Sequence, residues 1–136
     1  MDKLVTFLAH AVYMGTPILF GTLGEILNEK SGHLNLGVEG MMAMGACAGF
    51  MVGYSTNNLV LALLAAFGAG VLTSLIYAFL TITMMANQNV TGLTLTIFGL
   101  GFSNFIGEFM LTNSPTNNLK LPAEITAQLK NIKIPL

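Results

Sequence analysis

LVLALLAAFGAGVLTSLIYAFLTITMMA, residues 59–86, holds no charged side chain and is the longest uninterrupted apolar run in the chain. A helix crossing the hydrocarbon core of a bilayer needs roughly 20 predominantly apolar residues, so this run by itself points to a membrane. Composition agrees. Of the 136 residues, 54% are hydrophobic and only 8% are charged, whereas a soluble domain devotes about a quarter to charge to keep its surface in water. The mean hydropathy of +0.73 has the same sign. Backbone amides in lipid must be bonded internally, which makes helices the default. The alternating segments of about ten residues that mark barrel strands are absent.

Three further spans flank this run. Leu4 to Leu27 is apolar except for His10, a few hydroxyls and Glu25. It outlasts the 7–15 residues or so of a secretory signal core, and is read as a retained span. Asn28-Glu29-Lys30-Ser31-Gly32-His33 breaks the helical pattern and reads as a connector. A second span follows over 35–54, with Asn35, Gly37, Glu39 and Gly40 interrupting its start. Ser55-Thr56-Asn57-Asn58 and Asn87-Gln88-Asn89 are short turns on either side of 59–86, and 90–111 is a fourth, more broken span. From Thr112 the character becomes polar. Asn113 to Asn118 carries turn chemistry, and Ile125 to Ile132 fits a short amphipathic helix limited by Pro135. The expected fold is all-α, a polytopic membrane protein of about four transmembrane helices, one with a glycine-broken start, and a polar tail over 112–136.

Small residues recur every four positions at Gly45, Gly49 and Gly53, and again at Gly99, Ser103 and Gly107. Such spacing puts them on one helix face, where another helix can approach closely.

Composition also excludes functions. The net charge of −1 gives nucleic acid no basic patch. A single cysteine, Cys47, rules out an intramolecular disulfide framework and a multi-cysteine metal site. His10 and His33 share no helical face, and the one Asp is Asp2, so a hydrolytic triad lacks material. Met41, Met42, Met44, Met51, Met84 and Met85 are read as packing residues rather than a Cu(I) site. Gly99-Leu100-Gly101 lacks the strand and third glycine of a nucleotide loop. No phosphate loop with a lysine occurs, so ATP hydrolysis is expected on another chain. No metal or cofactor is expected.

Three carboxylates bear on mechanism, because a charge well inside a membrane is costly and faces protein interior, a wet path or the interface. Glu25 and Glu29, four apart, read first as a solvated helix end. Glu108 reads as interfacial. Glu39 follows Asn35 by four residues. Asn35 could cap the helix, leaving Glu39 in a first turn where the helix dipole favours it. Alternatively, Asn35, Gly37, Glu39 and Gly40 line a polar path, since irregular backbone at membrane depth is tolerated only where protein buries it or water lines it.

The run from Leu23 to Ala46, LGEILNEKSGHLNLGVEGMMAMGA, closely resembles a stretch near the start of ABC-transporter permeases of the branched-chain amino acid, ribose and nucleoside importer superfamily. Asn35-Leu36-Gly37-Val38-Glu39-Gly40-Met41 is most similar to the nucleoside and simple-sugar branch. Gly92 to Gly107 and Ile132 to Leu136 are similar more loosely. The resemblance implies the N-terminal part of one permease transmembrane domain in the bacterial cytoplasmic membrane. It implies ABC ATPase subunits, a second permease and an extracytoplasmic substrate-binding protein as partners, with membrane lipid around it. The mechanism it implies is alternating access with no covalent chemistry on the solute.

Family members are expected to have about twice this length and a cytoplasmic coupling segment with an Arg and a Gly-Glu-Asn-Pro type motif. Nothing here matches that segment, and all five cationic residues are Lys. The chain is therefore expected to be a fragment, a truncated product or a split subunit. Positive charge at Lys3 and in the tail places both ends in the cytoplasm, whereas the resemblance implies an external loop for the tail. A small self-associating membrane protein, using the two small-residue faces, and a nonfunctional remnant are the alternative readings.

Overall fold

A computed structural model describes residues 2–114 and 119–131. All regular structure among them is helical: α1 (Asp2–Lys30), α2 (Val38–Thr56), α3 (Leu59–Ala78), α4 (Gln88–Asn113) and α5 (Ala123–Asn131), with a π-helical stretch, Phe79–Thr83, continuing α3. Residues 115–118 of the expected 113–118 turn, and 132–136, lie outside the described residues.

Three helices are long and apolar enough to cross a membrane: Lys3–Lys30, Leu59–Thr83 and Gln88–Asn113. α2, with 19 residues, is shorter than these three and is not among them. It is also the helix best shielded, lying along both α3 and α4, while α1 touches it only sparingly. Its 19 residues span about 28 Å, close to the ~30 Å hydrocarbon thickness.

The large side chains elsewhere point outward, among them Phe7, Val12, Tyr13, Leu27, Phe67 and Ile97. In water such a surface would be a liability; against lipid tails it is the expected exterior. Apart from glycines, the buried residues among those described are Met41, Thr73, Tyr77, Thr81 and Ile125.

Local sequence explains where helices stop. α1 does not end at Leu27 but runs through Asn28, Glu29 and Lys30, because Glu and Lys are good helix formers and the break waits for Gly32. Gly32 takes φ +86°, a left-handed conformation that glycine adopts without a Cβ penalty. The Asn28 carbonyl then accepts from the Ser31 and His33 amides at 3.0 and 3.2 Å.

Asn57 ends α2 in the left-handed region at φ 54°, donating its N–H to the Gly53 carbonyl. Asn58 starts α3, its side chain accepting from the Val60 and Leu61 amides at 2.9 and 3.4 Å. Asn87 does the same for α4 with Asn89 and Val90. Asn58→Ala is expected to lower stability by about 1 kcal/mol, read as a lower midpoint in detergent unfolding, whereas Asn58→Asp keeps the cap and the midpoint.

The small-residue faces divide between partners. A Cβ built on Gly45 would meet the Ala66 carbonyl oxygen at 3.1 Å, and one on Gly49 would meet the Ala66 Cβ at 3.0 Å. One on Gly53 would meet the Ala62 Cβ at 3.2 Å. This row of α2 is thus covered by α3 of the same chain. Gly53 also lies near Leu121 and Ile125, so α5 docks beneath the α2–α3 turn through Ile125, 1% exposed.

On α4 the row splits. Gly99 lies against Gly40, and the Cys47 thiol is 4.0 Å from the Ser103 carbonyl oxygen. A Cβ on Gly107 would meet nothing within 4 Å. Gly107 lies two turns beyond Gly99.

Candidate functional site

Between α1 and α2 the chain runs without regular structure from His33 to Asn35 before turning into α2 at Gly37. Amide and carbonyl groups in such a stretch need partners outside it. Side chains from three helices supply them. From α1, Glu25 Oε1 accepts the Asn35 N–H at 2.7 Å. From α3, the hydroxyl of Tyr77, 5% exposed, donates to the Leu34 carbonyl.

From α4, Gln88 Oε1 accepts the Leu34 N–H at 2.8 Å, while its Nε2 bonds His33 Nδ1 at 3.0 Å. Thr96 Oγ1 donates to the Leu36 carbonyl at 2.7 Å. Thr96 lies eight residues into α4, or about 12 Å along its axis, so the broken stretch dips well below the helix end.

Asn35 does not cap α2 as expected. Its Oδ1 accepts the Gly37 N–H at 2.9 Å, only two residues on, an Asx turn that closes before the helix begins. Its Nδ2 rests 3.6 Å from the Met41 sulfur. The residue at the N-cap position is Gly37, which makes no side-chain cap bond. Glu39 is exposed in the first turn of α2, where the dipole favours its charge.

Gly37 and Gly40 are buried in a backbone-to-backbone crossing of α2 and α4. A Cβ on Gly40 would strike the Leu95 carbonyl oxygen and sit 2.7 Å from Thr96 Cα, and one on Gly99 would lie 2.5 Å from the Gly40 oxygen. A Cβ on Gly92 would lie 2.8 Å from the Leu36 nitrogen.

Two clefts open on either side of the Glu25–Asn35 bond. The first, about 520 Å³, brings Glu25, Asn35 and Glu39 together with Thr22, Val38 and Met42. The second, about 530 Å³, lies towards α3 and adds Asn28, Phe67 and Ser74. Glu25 is not the solvated helix end that its position suggested: it is half-buried, with Oε2 buried and unpartnered among the described residues. Of the four expected path residues, Asn35 and Glu39 face a cleft, and Gly37 and Gly40 face α4.

A family model described as "Branched-chain amino acid transport system / permease component" matches residues 7–131, a range that contains the clasped stretch and all four long helices but for the first turn of α1. The chain belongs to this permease family.

Three curated permeases are similar to it. A Haloferax volcanii protein provisionally named a glucose ABC transporter permease, TsgC13, is 39% identical over 77% of this chain and 32% of its own length. The guanosine ABC transporter permease NupQ of Bacillus subtilis is 32% identical over 84% of this chain and 37% of its own. The nucleoside ABC transporter permease NupC of Lactococcus lactis subsp. cremoris is 27% identical over 78% and 35%. The matched part of this permease chain thus spans about a third of each relative's length, so those relatives exceed the twofold length expected. No solved structure matches it significantly.

Tyr77 and Thr96 went unmarked in the sequence, and Gln88 and Gly92 stood there only as part of a turn and as the start of a loosely similar run. A tyrosine near the end of an otherwise apolar span, and a threonine one turn beyond a glycine, are weak signals. What gives them meaning is the broken stretch between α1 and α2, whose backbone needs partners.

Proposed function

We propose that this chain forms part of the solute-translocating membrane unit of an ATP-driven importer for nucleosides or related small solutes, simple sugars included, in the bacterial cytoplasmic membrane. The observation that carries the reading is the family match across residues 7–131, together with relatives whose names specify glucose, guanosine and nucleosides. ATP hydrolysis belongs to separate ABC ATPase subunits, since this sequence has no phosphate loop with a lysine. A second permease completes the path and an extracytoplasmic binding protein delivers the solute. The chain performs no covalent chemistry.

In this reading Asn35 and Glu39 line the path, with Glu25 facing the same cleft. Gly37 and Gly40 serve it indirectly, by letting α4 come close enough for Thr96 to hold the Leu36 carbonyl. Irregular backbone clasped by side chains is the kind of element that can tolerate contact with water at membrane depth.

The test is uptake by proteoliposomes holding the assembled importer, with binding protein outside and ATP at the ATPase face. ATP-dependent accumulation of guanosine or glucose is expected, abolished by a non-hydrolysable analogue. Accumulation of neither, or uptake indifferent to ATP, contradicts the reading. In the same vesicles Glu39→Gln and Asn35→Ala are expected to cut uptake several-fold at unchanged membrane level. Full uptake by both variants removes these residues from the path.

A further inference from the structure

We infer that His33 and Gln88 form an acid-sensitive latch: a proton taken up by the His33 ring unfastens the start of α4 from the broken stretch. Gln88 serves two groups at once. Its Oε1 accepts the Leu34 N–H at 2.8 Å, and its Nε2 lies 3.0 Å from His33 Nδ1. A backbone N–H can only donate, so the amide oxygen of Gln88 must face Leu34 and its NH2 group must face the ring. His33 Nδ1 is therefore an acceptor, and the proton of the neutral ring sits on Nε2. Only the uncharged ring completes the pair of bonds.

Protonation removes the acceptor. Both nitrogens of an imidazolium donate, and turning the ring over presents a C–H to Gln88 instead. Turning the Gln88 amide over gives the ring an oxygen but sets an NH2 group against the Leu34 N–H. One of the two bonds is lost in every arrangement. Histidine is the side chain whose charge ordinarily changes between pH 5 and 8, and His33, Leu34 and Gln88 are all half-buried rather than fully solvated.

The ionisable groups on the surrounding elements are Glu25, Glu29 and Lys30 of α1, Glu39 of α2 and Tyr77 of α3, while α4 has none before Glu108. Glu25 is bonded to the Asn35 amide and Tyr77 to the Leu34 carbonyl; Glu29, Lys30 and Glu39 are exposed. These charges set where the titration falls, but none of them gives an imidazolium an acceptor. The loss is also local. Tyr77, Glu25 and Thr96 keep their own bonds to Leu34, Asn35 and Leu36, so acid frees one end of the stretch and leaves the other held.

The experiment follows amide hydrogen exchange at single residues in the full chain, held in lipid nanodiscs, from pH 8 to pH 5. Each rate is divided into the intrinsic rate at the same pH, so that only protection is compared. Protection of the Leu34 amide is expected to fall about tenfold, equivalent to roughly 1.4 kcal/mol. The Gly37 amide, held by Asn35 Oδ1, is expected to keep its protection.

His33→Asn places a non-titrating oxygen where Nδ1 was, and should hold Leu34 equally well at both ends of the range. Gln88→Glu keeps an oxygen for the Leu34 amide and offers the second to a charged ring, so protection should rise on acidification instead of falling. Unchanged protection in the parent overturns the latch, and needs no variant to fold. So does an equal fall at Gly37, which marks general loosening, or a fall in His33→Asn as large as the parent's, which assigns the response to another group.

Discussion

Gly40→Ala is expected to cost more stability than any other single-methyl addition in the chain. The added carbon would meet the Leu95 carbonyl oxygen and sit 2.7 Å from Thr96 Cα, both backbone atoms of α4 that cannot rotate away. Gly99→Ala meets the same crossing from the other side, 2.5 Å from the Gly40 oxygen. Overpacking of this kind typically costs about 1–3 kcal/mol. Here it also withdraws α4, and with it Thr96 and Gln88, from the broken stretch.

The expected result is a steep fall in the unfolding midpoint in detergent and in the amount of protein reaching the membrane. Gly101→Ala and Gly107→Ala are the controls. Both positions face open space and both lie inside α4, where Gly costs roughly 0.5–1 kcal/mol relative to Ala, so these variants should match or exceed the parent. Equal behaviour of all four variants would contradict the close crossing.

The second large effect concerns the carbonyl groups of the stretch. Tyr77→Phe deletes the hydroxyl that donates to the Leu34 carbonyl, and Thr96→Val deletes the one that donates to the Leu36 carbonyl. Neither change alters shape much. Each leaves an oxygen without its donor, at about 1–3 kcal/mol where water cannot reach it.

The double variant is expected to lose less than the sum of the singles, because both bonds hold one short segment and loosening it by either change already weakens the other bond. Midpoints for the two singles and the double make the cycle. A double variant that loses the full sum of the two singles would show that these hydroxyls act independently and do not share the task of holding 34–36.

What was legible in the sequence was the helical, membrane-crossing character and most of the packing chemistry. Runs such as Leu59 to Ala86 need no tertiary information, and the Gly45–Gly49–Gly53 spacing marks the face that α3 covers at Ala62 and Ala66. α2 is the instructive exception. Read from sequence as the second span, 35–54, it is not among the three helices long and apolar enough to cross a membrane, yet it is the helix against which α3 and α4 both pack.

Of the same spacing at Gly99–Ser103–Gly107, Gly99 and Ser103 meet α2 within this chain and Gly107 faces open space. Asn35 and Gly37 were placed correctly as the site of the break, but the partners that make it tolerable come from Glu25, Tyr77, Gln88 and Thr96. Those residues lie 10 to 60 positions away, beyond the reach of local pattern. Glu25 in particular looked like a helix end in water because the cleft around it exists only once α1 lies on α2.

The most direct measurement of the central claim, that α2 crosses α4 within one chain at the broken stretch, uses the single native cysteine. Cys47 lies beside Ser103. Ser103→Cys, expressed in membranes and oxidised with copper–phenanthroline, is predicted to give a disulfide between positions 47 and 103 inside one polypeptide. That link is visible by mass spectrometry after digestion, and is absent from Gly107→Cys treated alike. Links that join separate chains into dimers, or no link between positions 47 and 103, would contradict the account.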